Sequence, residues 1–203
     1  ERSYTEPMFV LAIMVVAASR PILQGVTRIV GLMARILPMP STLAFYFLCL
    51  SVVPLLGSFI TEPAAMTLAA ILLRDAFYTR NLDDKLQYAT VGVLFVNVSI
   101  GGTLTHFAAP PVLMVAAKWQ WDTLYMLTHF GWKSAVAVFF NAAVVSWMFQ
   151  KKIIAKGQVE IKLDERGEIP FIVTAVHLFF LTGVVIFAHH PAVFMGLLLF
   201  FIG

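Results

Sequence analysis

From Ser41 to Leu73 the chain carries one charged side chain, Glu62. As a straight α-helix this stretch would measure about 50 Å, whereas the hydrocarbon layer of a bilayer is about 30 Å thick. The stretch must therefore break. Pro54 and Gly57-Ser58 weaken its first arm, and Thr61-Glu62-Pro63 places cap-type residues before a proline suited to a helix's first turn. The pattern predicts a re-entrant helical hairpin over 41–73 that turns near mid-membrane and leaves on the side it entered. The stretch from Tyr88 to Ala117 has no Asp, Glu, Lys or Arg, yet its centre holds Ser99, Gly101, Gly102, Thr103, Thr105, His106, Pro110 and Pro111. Irregular backbone at membrane depth is tolerated only where protein or a water-filled cavity satisfies it. A broken transmembrane helix lining a cavity is the expectation for 88–117.

Composition agrees that lipid is the solvent. Apolar residues make up 60% of the sequence and charged residues 12%, against about a quarter charged in soluble domains. The mean hydropathy is +0.88. The net charge of +3 is spread between apolar runs, which argues against a nucleic-acid partner. Cys49 is the one cysteine, so no disulfide framework or CxxC site is available; it reads as a small buried hydrophobe. Glu1 in place of Met, and an apolar run from Met195 that stops at Gly203, lead us to expect a fragment of a longer chain. No signal-peptide pattern opens it, so insertion is expected to rely on the helices themselves.

The fold class expected is an all-α polytopic membrane protein. Residues 7–20 read as the end of a transmembrane helix. At 22–37, Val26, Ile29, Val30, Met33, Ile36 and Leu37 recur at helical spacing beside Arg28 and Arg35, as in an amphipathic interfacial helix; a packed helix outside the bilayer is the alternative. Residues 122–149 read as one transmembrane helix with Trp119, Trp121, Tyr125 and Trp132 as an aromatic belt near one end. A charged loop follows over 150–170, then two apolar runs at 171–187 and 192–202 joined by a turn that includes His189-His190. The domain reading is one unit over 1–150, a cytoplasmic loop over 151–170 and two further membrane segments over 171–203. With 41–73 as a hairpin, Arg20, Arg28, Arg35, Arg74, Arg80, Lys85, Lys151, Lys152, Lys156, Lys162 and Arg166 share one side, and only Lys118 and Lys133 face the other. That bias makes the hairpin mouth cytoplasmic.

Glu62 is the candidate of most interest, because an ionisable residue at bilayer depth costs about 2.5–3.5 kcal/mol on insertion scales and usually faces a cavity or a partner. A helix-capping glutamate is the other reading. Ser58, Thr61, Glu62 and Thr103 offer hard oxygen ligands for Na⁺, and Asn97, Ser99, Gly101, Gly102, Thr105 and Pro110 complete the candidate ion or substrate site from the second break. Glu62 and His106 are the candidate proton-coupling groups. His129 and His177 lack metal-ligand spacing, so an enzyme is not expected. The partners expected are the bilayer, the transported Na⁺ and H⁺, the remainder of the chain and a second copy in a homodimer. No cofactor is expected.

The two breaks together resemble a known group. Gly57-Ser58-Phe-Ile-Thr61-Glu62-Pro63-Ala64-Ala65-Met66-Thr67 is similar to the hairpin-tip motif of the ion transporter superfamily, which includes arsenite efflux proteins, Na⁺/H⁺ antiporters and divalent anion:Na⁺ symporters. Ser99-Ile-Gly101-Gly102-Thr103 through Ala109-Pro110-Pro111 resembles the unwound segment that follows the hairpin there. The wording is most similar to bacterial Na⁺/H⁺ antiporters, over roughly 7–150. The resemblance implies an inverted-repeat transporter moving as an elevator against a scaffold in the bacterial inner membrane. This chain then holds most of the first half, with 1–150 as the first-repeat transport unit and 171–203 as the opening of the second repeat. Ile60-Thr61-Glu62 stands where the symporters carry Ser-Asn-Thr, and Glu62-Pro63 keeps the acid and proline, without the Asn, of the antiporter and arsenite-type tip. An acid at the tip favours cation or proton coupling. Na⁺-coupled anion transport, with Ser58, Thr61 and the positive helix end at Pro63 holding substrate, is the alternative.

Overall fold

The computed structural model describes residues 4–17, 19–78, 82–157, 169–187 and 190–203, and every regular element among them is helical. Expectations resting on Arg80, Lys162, Arg166 and His189, and on most of the 150–170 loop, lie outside the described residues. Helix α1 (Thr5–Ala17) meets α2 (Arg20–Ile36) at a bend of 63°. Pro21 sits in the first turn of α2, where its missing N–H has no helical acceptor to lose. The apolar residues of α2 divide between two faces. Ile22, Val26, Val30 and Ala34 are buried, whereas Ile29, Met33 and Ile36 are exposed. The stripe is wider than one neighbour can cover, so only one flank packs, against α3 (Ser41–Leu50) and the later helix α10 (Phe171–Ile186).

The long apolar stretch breaks twice. Helix α3 gives way to α4 (Val52–Ile60) at Ser51, and α4 to α5 (Glu62–Ala76) at Thr61. The second break lies at the expected tip; the first has its own cause. Pro54 has no N–H, so the carbonyl of Leu50, four residues earlier, loses its helical donor. Ser51 departs from helical geometry at φ −119° and ψ −69°, its hydroxyl donates to Phe47 O at 2.7 Å, and the Asn97 amide donates to Leu50 O at 2.7 Å. Arms α4 and α5 lie side by side, so close that a Cβ on Gly57 would sit 3.0 Å from that of Ala65. Phe77, just past α5, packs edge-on against Tyr46 of α3 with ring centroids 5.4 Å apart. The end of α5 thus packs back against α3.

Helix α6 (Asp84–Gly101) runs into a 3₁₀ turn (Gly102–Leu104), a non-helical stretch over 105–109 and α7 (Pro110–Trp119). A continuous helical run follows: α8 (Thr123–Met126), a π-turn (Leu127–Gly131) and α9 (Trp132–Ile154). It outlasts the expected 122–149 span, so Lys151 and Lys152 lie on the helix instead of in the loop. Asp83 pairs with Lys152 at 2.6 Å, and Thr42 donates to Gly157 O at 2.6 Å. The starts of α3 and α6 and the end of α9 therefore share one end of the bundle. The Lys152 ammonium holds the Asp83 carboxyl below the usual carboxylate range, so this tie persists at neutral pH and is released only as pH falls through that lowered value. Near the opposite end Trp121 stacks on Tyr125, with centroids 5.3 Å apart. Helices α10 and α11 (Pro191–Ile202) pack on α1, where Phe9 meets Phe194 edge-on at 5.8 Å.

Among the described residues, three helical stretches are long and apolar enough to cross a membrane: Ser41–Ile60, Asp84–Leu104 and Thr123–Ile154. The bent pair Pro7–Ala17 with Arg20–Ile36 makes a fourth if it counts as one span.

Candidate functional site

Each break leaves backbone groups without helical partners, and the two breaks satisfy one another. Ser58 Oγ donates to Gly101 O at 2.6 Å and accepts from Leu104 N at 3.1 Å. Thr105 Oγ1 donates to Ser58 O at 2.6 Å, and Glu62 N donates to Ala108 O at 3.3 Å. Buried amides and carbonyls left unpaired would each cost on the order of 1–3 kcal/mol, so neither break is stable as seen without the other. Contact between the hairpin tip and the end of α6 is equally tight. A Cβ on Gly101 would come within 2.6 Å of Pro54 O and 2.8 Å of Pro54 C. Gly101→Ala is therefore expected to push the hairpin off α6 and destabilise the protein by about 1–3 kcal/mol. A melting curve of the purified full-length protein that matches wild type would show that the contact is looser than this.

Glu62 opens α5, half-buried, and its Oε1 accepts from Ser99 Oγ at 3.3 Å. Gly102 borders it: a Cβ there would lie 3.9 Å from Glu62 Cβ. Because Glu62 N is bonded to Ala108 O, the stretch leading into α7 lies against the N-terminal end of α5. Aligned peptide dipoles make the N-terminal ends of both helices electropositive. The C-terminal ends of α4, at Ile60, and of α6, at Gly101, arrive at the same place. Half-helix ends of both signs thus gather about Glu62.

Thr61, at the tip, has φ 79° and ψ 150°, a region that essentially only glycine enters freely. It is 2% exposed, and its hydroxyl has no hydrogen-bond partner. A β-branched residue held there carries about 1–3 kcal/mol of strain, and an orphaned hydroxyl adds a desolvation penalty. Both are accounted for if Thr61 Oγ1 is kept for a ligand. Thr61→Gly is accordingly expected to leave melting unchanged or raise it, while the affinity for a cation held at this tip falls roughly tenfold, the loss of one hydrogen-bond-strength contact. Thr61→Ser should keep most of that affinity. Unchanged ion affinity in Thr61→Gly would make the hydroxyl a passenger.

Other sequence candidates lie elsewhere or are already engaged. Ser58 pins the two breaks together, as above. Thr103 Oγ1 donates to Ile100 O at 2.8 Å and shares a short hydrogen bond with Ser134 Oγ of α9. Asn97 is fully buried; its amide nitrogen donates to Leu50 O and Val138 O, and its oxygen accepts from Asn141 Nδ2 at 3.0 Å. His106 Nδ1 is 2.8 Å from Thr123 Oγ1 of α8. Pro110 supplies the first turn of α7. Sequence reasoning passed over Ala108, whose carbonyl meets Glu62 N, and Ser134 and Asn141, seven apart and hence on one face of α9. That polar stripe was the signal that could have found the last two.

An all-helical integral membrane protein whose hairpin tip and broken helix join around one carboxylate has the character of a transporter. The chain belongs to the family described as "Putative Na+/H+ antiporter", whose model matches residues 1–203. No curated protein and no solved structure shows significant similarity to it.

Proposed function

We propose that this chain is the ion-binding part of a secondary transporter that exchanges Na⁺ for H⁺, with Glu62 holding the two cargo ions in alternation. The observation that carries the reading is the meeting of both helix breaks at Glu62, beside the strained Thr61 with its unpartnered hydroxyl. A proton neutralises the carboxylate; Na⁺ binds it with the Thr61 hydroxyl and carbonyls at the ends of α4 and α6 as further hard oxygen ligands. Competition for one carboxylate couples the two fluxes. Ser99, bonded to Glu62 Oε1, orients it. Membership of the antiporter family supports this choice of ions.

Ser41–Leu73 then acts as a re-entrant hairpin that, with 88–117, forms the moving unit of an inverted-repeat elevator in a bacterial inner membrane. The remainder of the second repeat is supplied by chain beyond this sequence, and two copies form the functional dimer. Gathering of Thr42, Asp83, Lys152 and Gly157 at one end supports a hairpin mouth on the cytoplasmic, lysine-rich side. The test is flux in proteoliposomes holding the full-length protein. A pH step should drive Na⁺ uptake, and a Na⁺ step should move protons the opposite way. Proton movement indifferent to Na⁺, or Na⁺ movement that requires an added anion, would overturn the assignment.

A further inference from the structure

A groove of about 390 Å³ runs along the outside of the bundle between α6 and α9, lined among others by Ala89, Gly92, Val93, Val144, Val145 and Phe149. Gly92 forms part of its floor, and a Cβ there would meet nothing within 4 Å. On α6 the groove face is Ala89, Gly92 and Val93, and one turn further back on the same face stands the exposed Lys85. On α9 the groove face runs through Val145, Met148 and Phe149, and one turn further on stands Lys152, its ammonium 5.8 Å from the Phe149 ring centroid. Both walls end in lysine at the same end of the bundle, because Asp83 and Lys152 tie those ends together. Lys85, Lys151 and Lys152 outnumber Asp83 and Asp84 there.

We propose that this groove is a binding site for an anionic phospholipid of the bilayer, with an acyl chain along Gly92 and Val145 and the phosphate at Lys85 and its neighbouring lysines. Lengthwise apolar lining with a positive cap matches a lipid's own layout, and it disfavours a second copy. A two-fold axis along the membrane normal would bring the lysine end of one groove against the lysine end of the other. The site is separate from Glu62, so it stands or falls independently of the ion assignment.

Trp147 is 73% exposed, next to the groove residue Met148. With Trp119, Trp121 and Trp132 replaced by phenylalanine, it becomes the only tryptophan of the described sequence. The full-length protein, with any further tryptophans likewise replaced, is placed in phosphatidylcholine nanodiscs containing a minor fraction of brominated phosphatidylglycerol or brominated phosphatidylcholine. Quenching by the anionic lipid should exceed that by the zwitterionic one several-fold. Lys85→Gln should reduce the excess about fivefold, as roughly 1 kcal/mol per basic side chain at an anionic surface implies. Gly92→Phe, which fills the groove, should weaken quenching by both lipids. Equal quenching by the two lipids, or an excess that survives Lys85→Gln, would overturn the proposal. So would absence of quenching in the parent protein, which would mean that other chain or a second copy covers the groove.

Discussion

Glu62→Gln in the full-length protein is expected to reduce coupled Na⁺/H⁺ exchange to the level of protein-free liposomes, while expression and thermal melting stay close to wild type. The expectation separates two properties of the side chain. Gln keeps the oxygen that accepts from Ser99, and its backbone N–H still reaches Ala108 O, so the join between the breaks survives. What disappears is the charge. A neutral amide cannot take up and release a proton, and its attraction for Na⁺ is that of a single carbonyl dipole, so neither half of the exchange is left. Glu62→Asp keeps the charge but draws it back by one methylene from Ser99, and it should retain partial activity with a displaced pH profile. The measurement is ²²Na⁺ uptake driven by a pH step, repeated across the pH range. If Glu62→Gln exchanges normally, the carboxylate serves only as a cap on α5. A Na⁺-coupled anion transporter using the positive ends of α5 and α7 then becomes the better reading.

How much of this was legible in the sequence depended on how local each cause was. The break at Thr61 was readable because cap, acid and proline are consecutive residues, and their effect on a helix does not depend on what packs against them. The break over 105–109 was readable from glycine and proline density alone. The break at Ser51 was legible only in part: Pro54 marked the first arm as weak, but where the chain bends depends on the donor that another helix supplies to Leu50 O. Among the candidate oxygens, sequence could say that hydroxyls gather at the two breaks. It could not say that Ser58 and Thr103 are already engaged while Thr61 is not, because hydrogen-bond bookkeeping is a property of the folded join. The strain at Thr61 is equally invisible from composition: the chain accepts it only because both flanking helices are fixed by their contacts with α6.

Asn97 carries the second large effect. Its amide nitrogen donates to two carbonyls, Leu50 O at 2.7 Å and Val138 O at 3.2 Å. That fixes which end of the side chain is nitrogen, since an oxygen there would face two acceptors. Asn97→Ala leaves Leu50 O without a donor at a fully buried position and strips Asn141 of its acceptor. The expected loss is about 1–3 kcal/mol for each group so stranded, read as a marked drop in the melting temperature of the purified protein. The cause assigned here makes a sharper demand. Leu50 O needs Asn97 only because Pro54 has no N–H, so Pro54→Ala, which restores that N–H, should make Asn97 partly dispensable. The double variant is therefore expected to be more stable than the sum of the single losses by about 0.5–3 kcal/mol, the range seen for residues that share one hydrogen-bond partner. Exchange activity then decides between the two roles open to Asn97. A residue that only braces the bend should let the double variant recover exchange along with its stability. A residue that ligates the ion should leave exchange lost however stable the protein becomes. The first outcome is expected, because Asn97 Oδ1, the atom of this side chain that could face a cation, already accepts from Asn141 Nδ2 at 3.0 Å.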